Sequence, residues 1–100
     1  MFITIDEKAV SWFTMEFDYT KPFHIRLYPQ YAGFGEKHKG YSLAFSTESP
    51  TNPAFTKEVN GIIFYFEEND LWFFEDTETH LSFNPLQNEL QVTYNETANS

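Results

Sequence analysis

His38 is the residue of this sequence best suited to holding a metal, because neutral imidazole is a common ligand for borderline ions such as iron or zinc. It stands in the run Glu36-Lys37-His38-Lys39-Gly40, which follows Gly33 and Gly35. Two chemistries fit this run. His38 and Glu36 could share a metal, completed by Asp70 or Glu75 from elsewhere in the fold or across a dimer. Alternatively, Lys37 and Lys39 could hold a small anion with the backbone amides of a loop that ends at Gly40. The flanking lysines oppose a cation, and an exposed loop histidine is the simpler account. Gly33-x-Gly35-x-x-His38 is not the dinucleotide fingerprint, since the third glycine is missing and a strand follows, so turn glycines explain it better.

The remaining chemistry-bearing residues are scattered. The chain contains no cysteine, which excludes disulfides, thiolate ligands and thiol catalysis. His24 should point away from an apolar strand face, and His80 alternates with Leu81 among acids, so both read as solvated or structurally bonded. Glu67-Glu68-x-Asp70 and Glu75-Asp76-x-Glu78 could bind a divalent cation through oxygen. Their simpler role is to solvate the ends of a very apolar segment and oppose aggregation. A calcium loop, a nucleophile elbow and a paired-histidine metalloprotease motif are all missing, so no enzyme activity is expected. Trp72, Phe73 and Phe74 cannot all face one core if they continue a strand. Burial under a helix is the plain reading, and a self-association or partner patch is the alternative.

The elements that must position these residues follow from periodicity. Thr4-Ile5-Asp6-Glu7 matches a capping box after a short apolar strand, and predicts a helix whose buried face is Ile5, Ala9, Val10, Phe13 and Phe17, ending near residues 17–19. Alternation at Phe23, Ile25 and Leu27 predicts a strand that stops at Pro29, and alternation at Tyr41, Leu43 and Phe45 predicts another after the loop. Pro50 and Pro53 should close that strand. Asn60-Gly61 predicts a type I′ hairpin between strands at 56–59 and 62–67. The second of these is apolar on both faces and should be central. Leu71 to Phe74 reads equally as strand or helical turn. Two last strands are expected at 79–83 and 90–94, before a fraying polar tail. The expected fold is α+β, mostly β: curved mixed sheets, barrel-like, with one N-terminal helix over an opening, forming a single domain over residues 1–95 with 96–100 as the tail.

Composition agrees with a folded domain. Hydrophobic residues make up 41 % of the sequence despite a net charge of -9, which is far from the signature of disorder. A domain of this size buries roughly 60 to 70 % of its unfolded surface, without needing a metal or disulfide. Every basic residue lies before position 58 and the remainder carries only acids, a surface that repels nucleic acid and anionic lipid and favours cations or a basic protein partner. With neither a signal peptide nor an apolar run long enough to span a bilayer, the expected compartment is the cytoplasm.

The order of elements resembles the HesB-like domain of A-type iron-sulphur carriers and their small Gram-positive relatives, over nearly the whole chain. The likeness is carried by Ile3-Thr4-Ile5-Asp6-Glu7-Lys8-Ala9, His24-Ile25-Arg26-Leu27, Lys39-Gly40-Tyr41-Ser42-Leu43, Val59-Asn60-Gly61-Ile62 and Asn69-Asp70-Leu71-Trp72-Phe73-Phe74. Carriers of that family use one cysteine two residues before the glycine that opens the strand after the long loop, and a Cys-Gly-Cys in the tail. Here His38 takes the first position, and the chain ends at Ser100 without the other two. The resemblance thus implies the fold more than the cluster. It points to a non-enzymatic accessory of iron-sulphur biogenesis, at most a weak binder of iron. The alternatives are a metal-free protein-interaction module and a small-anion binder through the 37–40 loop.

Overall fold

The computed structural model describes residues 2–16, 23–31, 33 and 40–96. Along these the chain runs β1 (Phe2–Ile5), α1 (Glu7–Glu16), β2 (Phe23–Tyr31), β3 (Tyr41–Ser46), β4 (Pro53–Val59), β5 (Ile62–Glu67), a 3₁₀ turn (Glu68–Asp70), α2 (Leu71–Phe74), β6 (Thr77–Asn84) and β7 (Glu89–Glu96). The strands form two mixed sheets, ordered β1-β6-β7 and β3-β2-β5-β4. In each sheet one pair is parallel, β1 with β6 and β2 with β5, and the other pairs are antiparallel. The α+β, mostly-β expectation therefore holds, but the barrel-like closure is corrected. A barrel needs an unbroken ladder around its circumference. Here the edge strands β1 and β7 of one sheet and β3 and β4 of the other pair only within their own sheet among the described residues, so both sheets stay open.

The core lies between the sheets. Ile25, Leu27, Ile62, Phe64 and Phe66 from one sheet meet Ile3 and Leu81 from the other, all at 2 % exposure or less. The helix α1 touches both layers. At its start the Asp6 N–H donates to the Leu81 carbonyl of β6 at 2.9 Å. About two turns later Phe13 sets its ring edge-on to Phe45 of β3 and Phe64 of β5, at 5.0 and 5.2 Å. Across the opposite margin Lys57 of β4 donates to the Ile3 carbonyl of β1 at 3.2 Å, tying one sheet edge to the other. No helix among the described residues is long and apolar enough to cross a membrane.

Several boundaries differ from the sequence reading for physical reasons. Asp6, not Thr4, caps α1: its carboxylate accepts the Lys8 N–H at 3.0 Å, as an N-cap does. Thr4 stays in β1, where its hydroxyl lies 2.5 Å from Nδ1 of His80. Ala9, Val10 and Phe13 form the buried helix face as expected, whereas Phe17 and the expected helix end near residues 17–19 lie outside the described residues. Strand β2 continues through Pro29 to Tyr31, because β5 accompanies it only as far as Arg26. Beyond that point β2 has a neighbour on one side only, where a missing donor is tolerated. Pro53 likewise opens β4, an edge strand, instead of preceding it.

The Asn60-Gly61 turn forms as predicted, with φ of 51° and 86°, and β5 is the buried partner of β2 and β4. The undecided segment is helical, which adds a second helix to the single one expected. Phe73 and Phe74 are adjacent in sequence and both fully buried. A strand would send them to opposite faces, while one helical turn brings both inward. Phe74 stacks on Phe66 at 4.1 Å, and Phe73 meets Tyr94 edge-on at 6.1 Å.

Candidate interaction surface

Two surface regions concentrate polar or apolar groups. The first lies on the face of the β3-β2-β5-β4 sheet that points away from the core. Side chains alternate along a strand, so with Ile25, Leu27, Phe64 and Phe66 inward, Arg26, Tyr28, Tyr65 and Glu67 project outward. The segment 47–52 covers them. Arg26 donates from Nη2 to Asp70 Oδ2 at 2.8 Å, its Nη1 lies 3.5 Å from Glu48 Oε1, and its guanidinium sits 5.3 Å from the Tyr28 ring centre. Tyr65 donates its hydroxyl to the Glu48 carbonyl at 2.8 Å. Glu67, only 8 % exposed, accepts the N–H of Thr51 at 2.9 Å, that of Asn52 at 2.7 Å and the Thr51 hydroxyl at 3.3 Å.

These contacts set the protonation states. The Thr51 N–H, helped by the Asn52 N–H, the Thr51 hydroxyl and Arg26, holds Glu67 below the ordinary carboxylate range against the opposing effect of burial. The hydrogen bond to Asp70 raises Arg26, outweighing burial. Burial, followed by the charges of Glu48 and Glu67, pushes Tyr65 up. All three shifts run away from neutrality, whereas a general acid or base works best near the operating pH. The polar cleft of about 240 Å³ here thus has among its walls Arg26, Glu48, Thr51, Asn52 and Glu67, which are engaged in these contacts, while Arg26 Nε is buried without a partner. Its chemistry is that of a clasp holding the 47–52 segment to the sheet.

Most sequence-derived site residues fall elsewhere. His38 and Glu36, the metal pair, and Lys37 and Lys39, the anion pair, lie outside the described residues. Gly40 is described: it has φ of +89°, and a Cβ there would come within 2.6 Å of Tyr31 Cε1, so its identity has a backbone and packing reason. Asp70 is bound to Arg26. His80 is held between Thr4 and Glu78, 3.4 Å from the latter's carboxylate, and is structurally bonded. Among the described residues, no group of three or more His, Asp or Glu could hold a metal. Of the interface candidates, Phe73 and Phe74 are core residues and Trp72 is at the surface, 43 % exposed, with its ring 5.4 Å from Tyr41.

The acidic segment at 67–70 does not simply solvate the chain. Glu67 is an anchor for the 47–52 segment and Asp70 is the ion-pair partner of Arg26. Alternation along β2 and β5 places Arg26, Tyr65 and Glu67 on one face from sequence alone; the segment that covers them has no such signal.

The second region is an apolar groove of about 240 Å³ between α1 and the β6–β7 hairpin, lined by Lys8, Ser11, Trp12, Met15, Phe83 and Asn88. Met15 is 83 % exposed, and Leu86, in the hairpin turn, is 95 % exposed. Helical spacing puts Lys8, Ser11, Trp12 and Met15 on one strip, next to the buried strip of Ala9 and Phe13. This strip was not singled out from sequence, because Trp12 and Met15 interrupt the polar side of the helix without a repeating pattern.

No family model matches the chain, and no solved structure does. Among known proteins, the chain is 33 % identical over 94 residues to the pyruvate dehydrogenase inhibitor of Bacillus subtilis, covering 94 % of this chain and 99 % of that protein. It is 32 % identical over 81 residues to an uncharacterised protein of Staphylococcus haemolyticus, covering 78 % of this chain and 82 % of that one. An uncharacterised protein of Staphylococcus epidermidis is 29 % identical over 97 residues, covering 94 % and 97 %. With both of the first two matches above 30 % identity and spanning most of each chain, the protein belongs to the family of small bacterial proteins that includes the pyruvate dehydrogenase inhibitor of Bacillus subtilis.

Proposed function

We propose that this chain is a cytoplasmic protein inhibitor of pyruvate dehydrogenase, acting by binding and carrying out no chemistry of its own. The observation behind the reading is the match to the Bacillus subtilis inhibitor over 99 % of that protein, so that the whole of one domain corresponds to the whole of the other. The site geometry supports binding over catalysis. Arg26, Tyr65 and Glu67 are engaged internally and shifted away from neutrality, while Met15, Leu86 and Trp72 stand at the surface.

The test is direct. Purified chain is added to a purified bacterial pyruvate dehydrogenase complex and NADH formation is followed. Inhibition should rise with dose and saturate near equimolar chain and enzyme. An unchanged rate at about tenfold molar excess, well above any tight-binding stoichiometry, removes the reading.

The resemblance to HesB-like domains stands beside this as a proposal about the frame, and its iron-sulphur side has a separate check. After anaerobic reconstitution with iron and sulphide, the chain should retain no more metal than a His38→Ala variant, because a cysteine-free chain offers no thiolate to a cluster. Metal and visible absorption present in the parent and lost in the variant would instead favour the accessory role in iron-sulphur biogenesis.

A further inference from the structure

The segment 47–52 crosses the outer face of the β3-β2-β5-β4 sheet from one edge strand to the other, between the end of β3 at Ser46 and the start of β4 at Pro53. It adds nothing to the core. Thr47, Glu48, Ser49, Thr51 and Asn52 are exposed and Pro50 is half-buried, and none of them belongs to the hydrophobic cluster. Its ties to the sheet are polar. Besides its contacts with Glu67, Tyr65 and Arg26, the Asn52 carbonyl accepts the Glu68 N–H at 3.0 Å.

The flanks of this segment are not packed. One cleft of about 240 Å³ lies beside it toward Arg26, Glu67 and Asn69, and a second of about 240 Å³ lies toward Phe23 and His24. Glu48 and Ser49 line both, so the segment divides what would otherwise be one trough. Where it joins β4, the ladder with β5 shifts register between Pro53 and Phe55, a local break in pairing that bends the chain away from the sheet.

Under the segment lies Tyr65. Its side chain projects away from the core and is nevertheless 0 % exposed, with the His24 ring edge-on at 6.1 Å and its hydroxyl on the Glu48 carbonyl at 2.8 Å. A stretch with few buried apolar contacts opens at far lower cost than the whole domain unfolds. Water takes over the polar ties as it lifts, since the Glu67 carboxylate and the Thr51 and Asn52 amides regain solvent together. Ile25, Leu27, Phe64 and Phe66 face the other layer and lose no contact.

We propose that residues 47–52 form a hinged strap that opens and closes as one unit over folded sheets, joining the two clefts into a single trough and uncovering Tyr65. The strap is a conformational device of this sheet, independent of whether the chain inhibits pyruvate dehydrogenase.

The experiment measures native-state amide exchange of the full chain over a series of low urea concentrations. In the same series, the initial rate of Tyr65 nitration by tetranitromethane is followed by peptide mass spectrometry. The chain holds no cysteine, so no thiol competes for the reagent. The amides of Thr51, Asn52 and Glu68 should exchange through one shared opening, about a hundredfold faster or more than those of β5. That opening should be insensitive to urea, because it exposes little surface. Tyr65 should nitrate more slowly than Tyr31, which is 71 % exposed, and with the same insensitivity to urea. Glu67→Gln weakens the bonds that hold the strap and should speed strap exchange and Tyr65 nitration by one common factor, about tenfold. Strap amides with the urea dependence of β5, three unrelated exchange rates, or Tyr65 nitration that follows β5 exchange would each overturn the proposal, and the parent chain alone decides these.

Discussion

Phe13→Ala should lose about 3–5 kcal/mol of folding stability, the range for truncating a fully buried phenylalanine. Total stabilities lie at about 5–15 kcal/mol, so this variant should be largely unfolded or close to it at ordinary temperature. The size of the effect comes from the position of the ring. Phe13 is 0 % exposed and joins α1 to two strands through edge-on contacts with Phe45 and Phe64, each such contact contributing about 0.5–1.5 kcal/mol beyond burial. Removing it leaves a cavity at the junction of helix and sheet.

Urea denaturation followed by tryptophan fluorescence is well placed to measure this, because the Trp12 ring lies 5.0 Å from Phe13. Phe13→Leu keeps most of the volume and should cost less than about 1.5 kcal/mol. Equal losses in the two variants would mean that filling the space is not what Phe13 does.

Stability should fall steeply in acid, and Glu67 should carry a distinct share of that fall. Its carboxyl is held below the ordinary value of 4.5, first by the Thr51 N–H and then by the Asn52 N–H and Thr51 hydroxyl. A group whose folded pKa is depressed contributes stability that is fully present above its unfolded pKa. That contribution is lost as pH falls through the folded pKa. The window therefore begins near the ordinary carboxylate value and extends below it. Protonation removes the charge that the two amides bind, and the 47–52 segment should loosen first, freeing the Glu48 carbonyl from Tyr65.

Glu67→Gln should melt lower than the parent at neutral pH, since an amide accepts these N–H bonds more weakly than a carboxylate. Its melting temperature should also depend less on pH below the ordinary carboxylate range, so that the two curves converge in strong acid. Parallel curves would show that Glu67 has no linked proton. Amide exchange at Thr51 and Asn52, faster in the variant than in the parent, would locate the change in the clasp.

Local signals predicted much of this architecture. The Asn60-Gly61 pair specifies its hairpin because positive φ at two successive residues is open to few other pairs. The alternation of Phe23, Ile25 and Leu27 specifies which face of β2 is buried, and by the same token places Arg26 on the other. The two-faced apolar run of β5 shows that it is covered twice. Each is a property of neighbouring residues, so a reading of neighbours finds it. For the candidate surface, the charge division was legible in the same way, since the absence of any lysine or arginine after Lys57 is a fact of order along the chain.

The decisions that sequence could not make all depend on contacts between distant residues. Asp6 caps α1 because Thr4 is held in β1 against His80, 76 positions away. Leu71 to Phe74 turns into a helix because Phe66 and Tyr94 wait on one side of it. Whether the sheets would close or stay open depended on the edge strands β1, β7, β3 and β4, whose ladders run only to their own sheet among the described residues. Glu67 looks like one acid in a solvated run until the amides of Thr51 and Asn52 are brought onto it. Likewise Trp12, Met15 and Phe83 are ordinary apolar residues until α1 and the hairpin lie side by side and leave a groove between them. Sequence by itself determined the strand faces, the hairpin and the anionic half of the chain, because local backbone preference and composition decide those. Only the tertiary structure decided the clasp and the groove, because the free energy of a buried charge or an exposed apolar wall depends on what the rest of the chain places beside it.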